Sequence, residues 1–152
     1  MSQEGSRQPR QEDFGFSIQI PVRWGDMDCL GHVNNATFFT YDEQARLQYF
    51  EAVGAVVPDF WKSSGLILAR ISCDFIAQLH YPETLTMGLR IARMGRSSMN
   101  TEGAMFTASG QLVATTQGVV VWFDYLAQKA AAVPEHVRAL IRQRERVAPE
   151  EA

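Results

Sequence analysis

The sequence has few cysteines and no long apolar run, and both shortages exclude classes of protein. No apolar stretch approaches the ~20 residues that a membrane-spanning helix needs, so we expect no membrane partner. Only two cysteines occur, Cys29 and Cys73, without the spacing of a disulfide framework or a metal motif. A reducing compartment, the cytoplasm, is the expected location. The first 13 residues lack the apolar core of a signal peptide.

The charge balance is also modest. The net charge of -3 argues against general nucleic-acid binding. A hydrophobic share of 46% and 152 residues are enough for one domain with a real core. We predict a flexible N-terminal tail over 1–13, a single domain over 14–144 and a flexible C-terminal tail over 145–152.

Hydrophobic periodicity predicts one strand, a long helix and then further strands. Apolar residues alternate from Phe14 to Trp24, which is typical of a half-buried strand. From Asn35 to Val53 the spacing becomes helical, and the polar remainder of that helix is narrow (Asp42, Glu43 and Arg46). Four more alternations follow, over 67–79, 85–91, 99–108 and 112–123, and then a short helix over 136–144. The pattern predicts an α+β fold whose antiparallel sheet wraps around the long helix, because nothing else could cover it.

The junction between the first strand and the helix carries the clearest chemical signal. It reads Asp26-Met27-Asp28-Cys29-Leu30-Gly31-His32-Val33-Asn34-Asn35. Such a junction places a carboxylate beside the N–H groups of a helix N-terminus, where developing negative charge is stabilised. Asn34 or Asn35 can cap the helix.

This run, continued by Phe39, Tyr41, Glu43, Ala45 and Arg46, resembles the hot-dog fold acyl-CoA thioesterases of the 4-hydroxybenzoyl-CoA thioesterase group. The resemblance covers about Phe14 to Phe123. It implies a five-stranded antiparallel sheet wrapped around a long central helix. It also implies homodimers joined edge to edge, frequent homotetramers, and active sites shared between subunits. The implied substrate is an acyl-CoA, hydrolysed without a separate cofactor.

The resemblance assigns roles to individual residues. Asp28 matches the catalytic carboxylate, as a general base or a nucleophile; the alternative is an ordinary loop or cap residue. Asn35 matches the position whose backbone N–H points at the thioester oxygen. Gly31 permits the tight path into the helix, and Asn34 and Phe38 are expected to contact substrate.

Two further readings concern the loop's histidine and a metal. His32 is a candidate acid or base because its unperturbed pKa lies near neutrality; a structural histidine is the alternative. A metal held by Asp26, Asp28 and His32 is not expected, because no second ligand cluster follows.

A turn between the third and fourth alternations supplies a basic patch. Arg93, Arg96, Ser97 and Ser98 suit the phosphates of coenzyme A through bidentate pairing and hydroxyl donation. The family similarly places a Gly-x-Ser-Ser-type turn near the nucleotide. A solvated hairpin with scattered charge is the alternative.

Two rival functions stay open at this point. Hydratases on the same fold act on enoyl-CoA, but their longer motif contains an Asn-Pro that does not follow Asp28. A non-catalytic acyl-CoA-binding or dimerisation module is the second rival. The sequence does not determine the acyl group, nor whether coenzyme A or acyl carrier protein is the donor.

Overall fold

One long helix lies against a curled antiparallel sheet in the computed structural model, which describes residues 7–152. The main elements are β1 (Ser17–Pro21), α1 (Asn35–Ala52), β2 (Ser64–Phe75), β3 (Thr84–Met94), β4 (Ser98–Phe106), β5 (Leu112–Asp124), β6 (Lys129–Ala130), α2 (Glu135–Arg144) and β7 (Glu150–Glu151). The predicted α+β fold, with five long antiparallel strands around a helix, is confirmed. No helix in the described part of the chain is both long and apolar enough to cross a membrane.

The order of the strands decides which edge of the sheet is open. The order is β1-β3-β4-β5-β2, and neighbouring long strands are antiparallel. β2 therefore lies at one end, and within residues 7–152 no strand pairs with its outer edge. An edge strand of 12 residues is a ready template for a second chain.

Helix α1 forms because its cap and its apolar face agree. The Asn34 side chain accepts a hydrogen bond from the Ala36 N–H at 2.9 Å, which starts the helix. The face of α1 towards the sheet buries three aromatic residues, Phe38, Tyr41 and Tyr49. They belong to the same core cluster as the fully buried residues of β3, which are Leu85, Met87, Leu89 and Ile91. Asp42, which belongs to the narrow polar remainder of the helix, is also fully buried.

The predicted strand over 67–79 ends earlier than its alternation suggests. β2 stops at Phe75, and the chain then leaves the sheet. The carbonyl of Leu79 instead accepts a hydrogen bond from the Val33 N–H at 2.8 Å. The apolar alternation continues because Ala77 and Leu79 pack against the core outside the sheet.

The predicted C-terminal tail contacts the domain, and its Arg146 also donates a hydrogen bond to the carbonyl of Glu12 in the predicted N-terminal tail. Residues 1–6 lie outside the described part, so the prediction for them is not addressed. Residues 145–152 run beside β3: Glu145 accepts hydrogen bonds from the Tyr49 hydroxyl and the Ile91 N–H, and β7 pairs with the end of β3. These contacts use backbone groups and a carboxylate, so hydrophobic periodicity gave no sign of them.

Candidate active site

Asp26 fixes the loop before α1. Its carboxylate accepts hydrogen bonds from the Tyr41 hydroxyl at 2.7 Å, the Arg23 backbone N–H at 2.9 Å and the Arg23 guanidinium at 2.9 Å. Burial by itself raises the pKa of Asp26, but the hydrogen bonds from Tyr41 and Arg23 together hold it below the usual value. Both oxygens are engaged, which supports a structural role for this carboxylate.

Asp28 is held differently. It is half-buried, and its Oδ1 accepts a hydrogen bond from the Leu30 N–H at 2.9 Å. Its backbone N–H donates to the His32 carbonyl, and its carbonyl accepts from the Gly31 N–H. Gly31 has φ +81, a conformation that glycine adopts without strain. Within residues 7–152 no hydrogen bond engages Asp28 Oδ2, which leaves that oxygen available for chemistry.

The first turn of α1 presents an unused donor. The Asn34 side chain caps the Ala36 N–H, and the Asn34 carbonyl accepts from the Thr37 N–H at 2.9 Å. The Asn35 N–H has no acceptor among the described residues. A free N–H at a helix N-terminus can donate to an oxygen on which negative charge develops. The oxygen of the Asn34 side chain is committed to the cap, and its amide nitrogen is left for other contacts.

A cleft of about 290 Å³ opens beside this helix start. Its walls include His32, Asn35, Phe38 and Phe75, with residues 76–79 behind them. The rings of Phe38 and Phe75 meet edge to face at 5.2 Å. The structure thus brings three predicted site residues, His32, Asn35 and Phe38, to one cleft whose walls are partly polar and partly aromatic. The other predicted loop residues, Asp28, Gly31 and Asn34, lie in the flanking loop and not in the wall.

Sequence reasoning missed His80, which contacts the loop from the segment after β2. Its Nδ1 lies 2.8 Å from the carbonyl oxygen of Gly31, 49 residues away along the chain. The rings of His80 and His32 meet edge to face at 5.2 Å. No local pattern marks such a contact, because it forms only when β2 and the loop are placed by the fold.

The arginine turn lies at the other end of the sheet. Val22 beside the Asp28 loop pairs with Glu83, just before β3, whereas the turn follows the last residue of β3. The 11 residues of β3 span about 35 Å. A single chain therefore does not bring Arg93, Arg96, Ser97 and Ser98 to Asp28.

Neither cysteine is arranged as a nucleophile. Burial, with the nearby charges of Asp42 and Asp74, raises the pKa of the Cys73 thiol to about 11. Cys29 is exposed, and both thiols are free. Across residues 7–152, no group of three His, Cys, Asp or Glu side chains is placed to hold a metal ion.

Comparison with solved structures and sequence families identifies the fold and the family. The sequence profile of the thioesterase-like superfamily matches residues 22–141. A protein from Pseudomonas aeruginosa strain PAO1 is 30% identical, with a TM-score of 0.81, covering 92% of this chain and 98% of its own. A thioesterase from Thermus thermophilus, solved with coenzyme A and zinc, is 33% identical, with a TM-score of 0.77, covering 88% and 96%. These neighbours confirm the predicted hot-dog architecture.

Curated relatives match more distantly. The Bacillus subtilis protein YsmA is 30% identical over 86 residues, which is 57% of this chain and 57% of YsmA. A chloroplast acyl-acyl carrier protein thioesterase of Arabidopsis thaliana is 27% identical over 128 residues, covering 82% of this chain and 68% of that enzyme.

Proposed function

This chain belongs to the thioesterase-like superfamily, and we propose that it hydrolyses the thioester of an acyl-CoA to a free acid and coenzyme A. The observation that carries the proposal is the placement of Asp28 in the loop that leads into a helix whose first N–H has no acceptor within residues 7–152, beside the cleft lined in part by Phe38 and Phe75. The coenzyme A bound to the Thermus thermophilus thioesterase favours coenzyme A as the donor.

In the proposed reaction Asp28 acts on the thioester carbonyl in one of two ways. As a general base it takes a proton from water while the water oxygen bonds to the carbonyl carbon. As a nucleophile it forms an anhydride that water then hydrolyses. In both routes the Asn35 N–H donates to the oxyanion, the carbon–sulfur bond breaks, and the thiolate of coenzyme A takes up a proton.

The remaining site residues hold the substrate in this proposal. Phe38 packs against the acyl group, and Gly31 and Asn34 shape the entrance beside the thioester. His32 acts on the substrate or orients the loop, and its contact with His80 fits either role.

The proposed binding of coenzyme A phosphates requires a second subunit. If β2 strands of two chains pair antiparallel across their open edges, the partner's β3–β4 turn lies towards this chain's Asp28 end. Arg93, Arg96, Ser97 and Ser98 would then serve the site of the other subunit. We therefore propose a homodimer, or a dimer of such dimers. A reducing location such as the cytoplasm belongs to the proposal, because both thiols are free.

Acyl carrier protein is the second candidate donor, and the Arabidopsis relative favours it. The two donors share the phosphopantetheine thioester and differ beyond it. Hydrolysis rates for one acyl group, carried on coenzyme A and on acyl carrier protein, separate the two candidates.

The test is thiol release from a panel of acyl-CoAs by the wild-type chain. We expect one free thiol and one free acid for each substrate consumed. Addition of water to an enoyl-CoA without thiol release would replace the proposal with a hydratase. Tight binding of acyl-CoA without turnover would replace it with a binding module.

A further inference from the structure

Apolar packing does not hold the tip of the Asp28 loop. Cys29 is exposed, and Leu30 is 76% exposed. Gly31 adopts φ +81, but glycine populates positive and negative φ about equally readily, so this conformation is permitted rather than enforced by the residue itself. The geometry of the loop, and with it the place of Asp28, therefore depends on hydrogen bonds and on contacts from the rest of the fold.

One carbonyl of this loop has a side chain as its partner. Within the turn, the Asp28 N–H donates to the His32 carbonyl at 2.9 Å, and the Gly31 N–H donates to the Asp28 carbonyl at 3.0 Å. The Gly31 carbonyl takes part in neither bond, and its oxygen lies 2.8 Å from His80 Nδ1. A carbonyl oxygen only accepts, so Nδ1 carries the proton and donates. This is the only hydrogen bond of the His80 ring within residues 7–152.

The residues on both sides of His80 contact the same loop. Leu79 is buried in the core, and its carbonyl accepts a hydrogen bond from the Val33 N–H at 2.8 Å. The ring of Tyr81 meets the ring of Trp24 edge to face at 5.8 Å. Three consecutive residues after β2 thus contact the start, the tip and the end of the loop, and the buried Leu79 fixes the position from which His80 donates.

Global stability does not require the contact between His80 and the loop. His80 is exposed, so water can replace its N–H at the Gly31 carbonyl if the ring is removed. Water does not fix the direction of that carbonyl, however, because it is not attached to the fold. Loss of the donor therefore frees the Gly31–His32 peptide to rotate, which displaces the turn that carries Asp28.

We propose that His80 is a positioning residue for hydrolysis: its Nδ1–H fixes the Gly31 carbonyl and so keeps the Asp28 carboxylate where it acts on the thioester. The inference rests on the proposed function and adds a residue to that site. His80 acts through Asp28 and takes no part in the bonds that form and break. Its effect is expected in kcat rather than in KM, because the cleft walls formed by Phe38 and Phe75 do not depend on it.

Nitrogen NMR of the histidine rings tests the contact without any substrate. With the ring neutral, we expect His80 to carry its proton on Nδ1, because the Gly31 carbonyl selects that tautomer. The His80→Asn variant identifies the signal of His80 by its loss. A neutral His80 ring with its proton on Nε2 would overturn the inference, since Nδ1 could then not donate to the loop.

Kinetics of two His80 variants test the role of the donor. His80→Phe keeps an aromatic ring beside His32 and removes the donor. We expect its kcat for acyl-CoA hydrolysis to fall about 10–100-fold, with KM and the urea midpoint close to wild type. His80→Asn places an amide N–H at the position of Nδ1 and should recover most of the lost kcat. His136→Phe, at an exposed position of α2, is the matched control and should retain the wild-type rate.

Combination with Asp28→Asn then shows whether His80 acts through Asp28. In that background His80→Phe should cause little further loss of kcat, because the two changes affect one carboxylate. A His80→Phe enzyme with wild-type kcat, a His80→Asn enzyme as slow as His80→Phe, or losses that multiply in the double variant would each overturn the inference. Absence of thiol release by the wild type would instead remove the proposed function.

Discussion

At the scale of single residues, two aspartates two positions apart have opposite environments. Asp26 receives hydrogen bonds on both oxygens, from Tyr41 and Arg23. Asp28 receives one on Oδ1 from its own loop. A saturated carboxylate holds the loop in place, and a partly unsatisfied one can exchange a proton or bond to carbon. The hydrogen bonds of Asp26 thus hold the loop in shape, and Asp28 is the carboxylate to which we assign the proposed chemistry.

The Tyr41 hydroxyl is predicted to stabilise this loop measurably. Tyr41→Phe leaves a buried carboxylate with one donor fewer, and hydrogen bonds to charged groups contribute about 1.5–3 kcal/mol. We expect the free energy of unfolding in urea to fall by about that amount. Tyr81→Phe is the matched control, because Tyr81 is exposed and should change little. Equal stability of the Tyr41 variant and the wild type would contradict this account of the loop.

Single residues were predictable from sequence where a local motif marks them. The capping asparagine, the left-handed Gly31 and the position of Asp28 follow from a contiguous run. The full burial of Asp42 could not be predicted, because helical spacing alone cannot detect Gly103 on a facing strand, where a side chain would crowd the carboxylate. The contact of His80 with the loop joins distant segments and has no local signal.

At the scale of elements, hydrophobic periodicity predicted which segments form strands and helices. It did not predict where β2 ends or that residues 145–152 contact β3. β2 ends at Phe75 although its apolar alternation continues, because the later residues pack on the core outside the sheet. Residues 145–152 dock through Glu145, whose carboxylate accepts from the Tyr49 hydroxyl and the Ile91 N–H. Contacts made by a carboxylate and by backbone groups produce no hydrophobic periodicity in the sequence, so the sequence pattern could not predict them.

The docking carboxylate gives a prediction with a defined pH dependence. Burial raises the pKa of Glu145 above its ordinary 4.5, against the opposing effects of Tyr49, Ile91, Arg90 and Arg144. The unfolded chain therefore loses this proton at lower pH than the folded chain, so ionisation weighs against folding at neutral pH. Glu145→Gln keeps an acceptor and removes the charge. We expect a higher free energy of unfolding than wild type at pH 7, with the difference shrinking as pH falls towards 4.5.

Two further variants serve as controls for this prediction. Glu145→Ala leaves the Ile91 N–H and the Tyr49 hydroxyl unpaired and should lose about 1–3 kcal/mol. Glu150→Gln, exposed in the same segment, should match the wild type at every pH. A Glu145→Gln variant that is less stable than wild type at pH 7 would show that the charged form favours docking.

At the scale of the whole molecule, the two parts of the predicted site lie at opposite ends of one sheet. The open edge of β2 offers a way to bring them together in a second chain. Leu68 lies on this strand and is 38% exposed. A lysine there is a device by which natural edge strands avoid pairing.

Leu68→Lys is therefore predicted to shift the chain from dimer to monomer, measured by light scattering at micromolar concentration. Activity should fall as the dimer is lost, because the proposed phosphate contacts come from the partner. Leu126→Lys changes a more exposed leucine, 80% accessible and outside β2, and should stay dimeric and active. A wild-type chain that is monomeric and fully active would contradict a shared site.

The central claim is that Asp28 performs the chemistry, and steady-state kinetics of Asp28→Asn test it most directly. The amide keeps the shape of the side chain and an oxygen for the Leu30 N–H, but removes the base and nucleophile. We predict that kcat for acyl-CoA hydrolysis falls by ~10²–10⁴ while substrate binding survives. Asp59→Asn, on an exposed turn away from the cleft, should retain wild-type rates. An Asp28→Asn enzyme with undiminished kcat would make Asp28 an ordinary loop residue and contradict the assignment of the site.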